Sequence, residues 1–202
     1  MDQKEKKGAG EVPEKLTFSQ NLVLYLHDVI YYLAAICIVL LVVFRIVIVS
    51  GTSMNGTLLD GDYLLLLSNV FYTEPEQGDI VVISKDSFDD GKPIVKRVIA
   101  TEGQIVDFDF ENGIVYVDGL PLEEDYILEK TYNPGDFQYP LMVQEGCVFV
   151  MGDNRNNSQD SRFQNIGLVD TREILGKAII LFVPGTNYGE FAPDYSRIGV
   201  ID

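Results

Sequence analysis

Ser53 lies in a small-residue stretch broken by glycines, Ser50-Gly51-Thr52-Ser53-Met54-Asn55-Gly56-Thr57, directly after the one long apolar run of the chain. A serine in such a turn ordinarily bonds only to backbone, and it becomes a nucleophile at neutral pH only beside a base. No histidine of the polar part can be that base, because the single histidine, His27, precedes the apolar run. A carboxylate or a desolvated lysine remains, and Ser/Lys pairs have precedent. Lys96 is the lysine that fits, within the apolar stretch Ile94-Val95-Lys96-Arg97-Val98-Ile99-Ala100. Strand neighbours point to opposite faces, so one of Lys96 and Arg97 is expected to face inward and the other outward. An inward lysine loses the hydration of its charge, its pKa falls from about 10.4, and it can then accept a proton.

A third polar cluster, Gly152-Asp153-Asn154-Arg155-Asn156-Asn157-Ser158-Gln159-Asp160-Ser161-Arg162, follows an apolar stretch. It does not read as a calcium loop, since Arg155 stands where a second oxygen ligand would fall and Ser158 where the glycine would. Acids, arginines and asparagines are mixed along it rather than blocked, which favours a hydrogen-bonded and ion-paired scaffold. Cys37 and Cys147 are too far apart in character and position to pair, and both read as free. The sequence offers no metal cluster and calls for no cofactor. Its net charge of -16, from 31 acidic and 15 basic residues, excludes a phosphate-binding face, so no nucleic acid is expected as partner.

The elements that must position these residues read as strands. Asp62–Leu67, Asp79–Ile83, Ile94–Ala100, Val148–Met151 and Ala178–Val183 are short apolar runs bounded by glycine and proline turns. Ile105–Phe110 alternates, Glu111-Asn112-Gly113 supplies turn chemistry, and Ile114–Val117 returns as a hairpin. The expected fold is mostly β, a barrel-like domain behind one N-terminal transmembrane helix. Residues 50–202 form that domain, with a core of about 50–100 and 146–183 and a smaller β insertion at about 101–145.

Residues 1–21 read as a polar tail and 22–49 as an anchor region. Val29–Val49 is long enough to cross roughly 30 Å of hydrocarbon, and Arg45 near its end can reach the headgroups. The run is longer than a cleaved signal core and no small-x-small site follows it, so the anchor is expected to stay. Lys4, Lys6, Lys7 and Lys15 precede it, whereas the next basic residue after Arg45 is Lys85. That bias predicts a cytoplasmic amino terminus, with everything from Ser50 on the outer face beside the lipid bilayer.

Together, Ser50-Gly51-Thr52-Ser53-Met54, Lys96-Arg97-Val98-Ile99 and Gly152-Asp153-Asn154-Arg155 through Asp160-Ser161-Arg162 resemble the bacterial type I signal peptidases, in order and in topology. The resemblance implies a membrane-anchored serine endopeptidase that removes signal peptides from exported preproteins. It implies Ser53 as nucleophile and Lys96 as general base, with the backbone N–H of Ser53 in the oxyanion hole. Ser158 would hold the lysine amine, Asp160 and Arg162 would brace the loop with Gly152, Asp153, Asn154 and Arg155, and Met54 would line the substrate site. The chain departs from the family at Gly51, which lacks a side-chain oxyanion donor, at Gly56, where many members have proline, and at Ala100. Two competing readings are a tethered β domain that binds polypeptides without cleaving them, and a Ser/Lys autoprotease of the repressor-cleaving type.

Overall fold

The computed structural model describes residues 17–186 and 192–201 and divides the chain into two units, Met1–Leu40 and Leu41–Asp202. Helix α1 spans Phe18–Val43 and buries none of its side chains. Its start is fixed by reciprocal capping: the Thr17 N–H donates to Gln20 Oε1 at 2.8 Å, and the Gln20 N–H to Thr17 Oγ1 at 3.4 Å. At 1.5 Å per residue the helix is about 39 Å long, and it is apolar on all sides. Among the described residues it is the one helix long and apolar enough to cross a membrane.

The apolar run does not stay helical to Val49. Phe44–Ile48 forms strand β1, and Arg45, expected at the headgroups, lies opposite Leu66 in an antiparallel ladder. Ile46-Val47-Ile48 is β-branched, which favours an extended chain, and hydropathy alone does not separate a buried strand from the end of a span.

The second unit is built on a curled half-barrel. Strands β2 (Tyr63–Ser68), β3 (Ile80–Ile83) and β4 (Ile94–Ala100) come first. Strands β5 (Ile105–Asp109), β6 (Ile114–Val117), β7 (Leu120–Pro121) and β8 (Leu141–Met142) make a separate four-stranded sheet in the order β7-β6-β5-β8. The chain then returns through β9 (Cys147–Met151), β10 (Val169–Asp170), β11 (Ile174–Val183) and β12 (Gly199–Val200). The main sheet runs β1-β2-β11-β3-β4-β9-β10, with β12 on β11. Register shifts within β11, and between β4 and β9, are the bulges that let such a sheet curl.

Strand β2 alternates, with Leu64 and Leu66 fully buried; each contributes on the order of 1.5–3 kcal/mol relative to an exposed position. Strand β3 is buried at every residue, as befits a central strand covered on both faces. The main sheet rests on two apolar clusters, one around Leu58, Leu64, Ile80 and Leu181 and one around Val81, Val98, Val150 and Ile166. A third, around Ile99, Val106, Val115 and Phe149, joins it to the insertion sheet. These clusters leave β4 in the centre of the unit, between β3 and β9.

Candidate active site

The loop that carries Ser53 leaves β1 and is closed at its base by two backbone bonds, Val49 N–H to the Asp62 carbonyl at 2.8 Å and Gly61 N–H to the Val49 carbonyl at 2.9 Å. Within it, the Met54 carbonyl accepts from the amides of Thr57 and Leu58, so the residues after Ser53 wind into a single helical turn. Gly56 has φ +111°, a value closed to proline, which explains why this turn carries glycine there. Met54 anchors the turn in the core cluster beside Leu58 and Leu64. It is buried rather than open to a substrate, and so fixes the loop from beneath instead of lining a pocket.

Lys96 enters from β4 and places its Nζ 2.7 Å from Ser53 Oγ. Its other hydrogen bond, 3.0 Å, goes to the carbonyl of Val95. Among the described residues no carboxylate contacts the amine. Burial lowers its pKa to about 8; the charges of Asp160 and Asp153 pull upward and lose to that desolvation. Lys96 is 2% exposed and Arg97 1%, which corrects the expectation that one of the pair faces water. Both faces of β4 are covered because other strands and the loop after β9 close over it.

Arg97 occupies the second face. Its Nε and Nη2 bond Asp153 Oδ1 and Oδ2 at 3.0 and 2.9 Å, its Nη1 bonds the Gly78 carbonyl at 2.8 Å, and the guanidinium lies 4.0 Å from the ring centre of Tyr126. Asp153 also accepts from Thr57 Oγ1 at 2.6 Å, which ties this network to the Ser53 loop. Asn154 grips the same loop twice, Nδ2 on the Thr52 carbonyl at 2.9 Å and its N–H on the Ser53 carbonyl at 3.0 Å. The N–H of Ser53 itself has no acceptor among the described residues and is free to bond an incoming oxygen.

Behind these, Arg162 and Asp160 form a two-point pair, Nε to Oδ1 at 2.8 Å and Nη2 to Oδ2 at 2.9 Å, both side chains wholly buried. Asp160 Oδ2 further accepts the Gly152 N–H at 3.1 Å. Arg155 bonds the Gly152 carbonyl and Thr131 Oγ1 and pairs with Glu124; burial pushes the Glu124 carboxyl up in spite of that arginine. Gly152 is obligatory in a simple sense: a Cβ there would stand 2.3 Å from both Ser158 Oγ and the Ser53 carbonyl oxygen. Ser158, expected to hold the lysine amine, instead directs its hydroxyl to the Gln159 carbonyl at 3.4 Å and packs against Gly152.

The structure thus gathers Ser53, Lys96 and all of the Gly152–Arg162 residues named from sequence into one site. Sequence reasoning did not find Thr57, Glu124, Tyr126 or Thr131, which come from turns and the insertion segment. One signal was available: the apolar residues on both sides of Lys96 and Arg97 mark β4 as a strand buried on two faces. Among the described residues no cluster of potential ligands could hold a metal ion.

Residues 22–183 match the family described as signal peptidase, peptidase S26. A probable signal peptidase I-1 of Synechocystis is 41% identical over 150 residues, 70% of this chain and 72% of that protein. Signal peptidase I of Bacillus licheniformis is 37% identical, covering 68% of this chain and 75% of its own. Signal peptidase I P of Bacillus subtilis subsp. natto is 33% identical over 78% of this chain and 90% of its own length. A crystal structure of a signal peptidase I from Enterococcus faecalis V583 is 29% identical and covers 52% of this chain and 97% of that one, with a TM-score of 0.43.

Proposed function

Since this chain belongs to the signal peptidase family, peptidase S26, we propose that it cleaves signal peptides with Ser53 as the acyl nucleophile and Lys96 as the general base. The chain is a serine endopeptidase, and its substrates are preproteins bearing signal peptides. Family membership sets aside the non-catalytic tether and the repressor-type autoprotease.

The observation that carries the residue assignment is the 2.7 Å contact between a buried amine and the Ser53 hydroxyl, with no carboxylate of the described residues on the amine. The neutral amine of Lys96 takes the hydroxyl proton while Oγ bonds the scissile carbonyl carbon. The oxyanion so formed is bonded by the Ser53 N–H. On collapse the carbon–nitrogen bond breaks, and the lysine ammonium gives its proton to the departing amine. A water then loses a proton to Lys96 and attacks the acyl carbon; the bond to Oγ breaks, and the lysine ammonium returns that proton to Oγ, restoring the Ser53 hydroxyl and the neutral amine. Asp153 and Asn154 hold the nucleophile loop through Thr57, Thr52 and Ser53, and the Asp160–Arg162 pair holds Gly152 against it.

Helix α1 is of spanning length and composition, which supports an anchor in the membrane. The lysines before it and their scarcity after it support a cytoplasmic amino terminus and a catalytic unit on the outer face. The test is cleavage of a preprotein by the full chain in lipid vesicles. Ser53→Ala and Lys96→Ala are each expected to lower kcat by about 10⁴-fold or more. Cleavage unchanged by both would end the Ser/Lys assignment.

A further inference from the structure

Arg197 lies beyond residue 183, where the family match ends, yet it reaches the loop that carries Ser53. Its Nη1 donates to Asp62 Oδ1 at 3.0 Å, and its Nη2 donates both to Asp62 Oδ2 at 2.6 Å and to the Thr57 carbonyl at 3.2 Å. Asp62 is fully buried and accepts two further bonds, from the Leu59 N–H at 2.7 Å and the Gly185 N–H at 2.6 Å. The carboxylate is thus a hub for the far side of the nucleophile loop, and Arg197 is its one cation among the described residues.

Thr57 is where this hub meets the catalytic network. Its hydroxyl is held by Asp153 from the Arg97 side, its carbonyl by Arg197 from the other, and its N–H by the Met54 carbonyl within the turn. Ser53 directly precedes that turn, and among the described residues its own carbonyl is held by Asn154 alone. Held on both sides at Thr57, the turn has one seat relative to β4.

We propose that Arg197 is a positioning residue for the reaction: it sets the place of Ser53 against Lys96 by clamping the Thr57 carbonyl and the Asp62 carboxylate together. The proposal rests on the reading of Ser53 as nucleophile. Arg197 touches neither Ser53 nor Lys96, so its loss acts on the fit of the reacting atoms and not on proton affinity. A lysine at this position restores a charge opposite Asp62 but lacks the planar fork that spans the carboxylate and the carbonyl together.

The full chain in lipid vesicles, with a preprotein substrate, decides it. Arg197→Ala is expected to lower kcat roughly 10- to 100-fold with KM within about twofold, measured per folded enzyme by near-UV circular dichroism. Arg197→Lys should recover part of that loss and not all of it. A wild-type kcat in both variants, with only a lower melting temperature, would reduce Arg197 to a structural tie and overturn the proposal, as would a change confined to KM. Should Arg197→Ala not fold, Arg197→Lys decides alone: reduced kcat at constant KM supports the clamp, and wild-type kcat refutes it. Ser53→Ala runs beside them. If Ser53→Ala is inactive while the Arg197 variants are normal, only the clamp fails; if Ser53→Ala still cleaves, the nucleophile assignment and the clamp fall together.

Discussion

The two sides of β4 receive a buried cation in different ways. On one, Lys96 meets a hydroxyl and a backbone carbonyl, with every carboxylate of the described residues beyond contact. On the other, Arg97 meets both oxygens of Asp153, a carbonyl and the face of Tyr126. The residues are adjacent and about equally buried, so burial is not what separates them. The contacting carboxylate is. A paired cation is a fixed part of the scaffold, whereas an unpaired amine bears the full cost of lost hydration and is ready to give up its proton.

Three changes put pressure on that contrast. The largest effect is expected from Arg97→Met, which leaves Asp153 buried and unpaired. Denaturant unfolding should show a loss of about 3–5 kcal/mol, and a loss under about 1 kcal/mol would mean that Asp153 does not depend on its arginine. Next in size is the pH dependence of cleavage. With the Lys96 pKa near 8, kcat/KM should climb about 100-fold from pH 6 to pH 9 and level off above. A flat profile would remove lysine as the base.

The smallest effect has the opposite sign to the first. Lys96→Met is expected to abolish cleavage yet to stabilise the fold by about 1–3 kcal/mol below pH 8, because an apolar side chain bears no desolvation cost. The sign follows from linkage: the amine has pKa about 8 when folded against an ordinary 10.5, so between these values the unfolded chain holds the extra proton and wild-type stability rises with pH. The advantage of methionine should therefore shrink from pH 8 towards pH 10.5. Thermal melts of the two proteins across that window would show a constant gap if Lys96 were not the group responsible.

Much of the site was legible because its chemistry is local in sequence. Ser53 behind an apolar run, Lys96 inside a strand and the mixed polar loop at 152–162 each carry their signal within a few residues. The fold was legible to the same degree, since β3, β4 and the 105–117 hairpin are periodic runs between turn residues. What escaped was long-range. Nothing near Arg97 announces Asp153, and nothing near Asp62 announces Arg197, partners brought together only by the curl of the sheet. Strand β1 escaped for a different reason: Phe44–Ile48 is as apolar as the helix before it, and composition does not say where lipid ends and a sheet begins. Met54 and Ser158 kept their places beside the site, but the one is turned into the core and the other is bonded to its own loop.

Gly152 has no functional group, yet it determines how finely the site is machined. The loop after β9 rests against the Ser53 carbonyl with clearance for a hydrogen atom and nothing larger. Two segments about a hundred residues apart in the chain therefore register on each other by direct abutment, as a shaft does against a stop. A single added methyl group at this position would be transmitted as displacement to the backbone of Ser53.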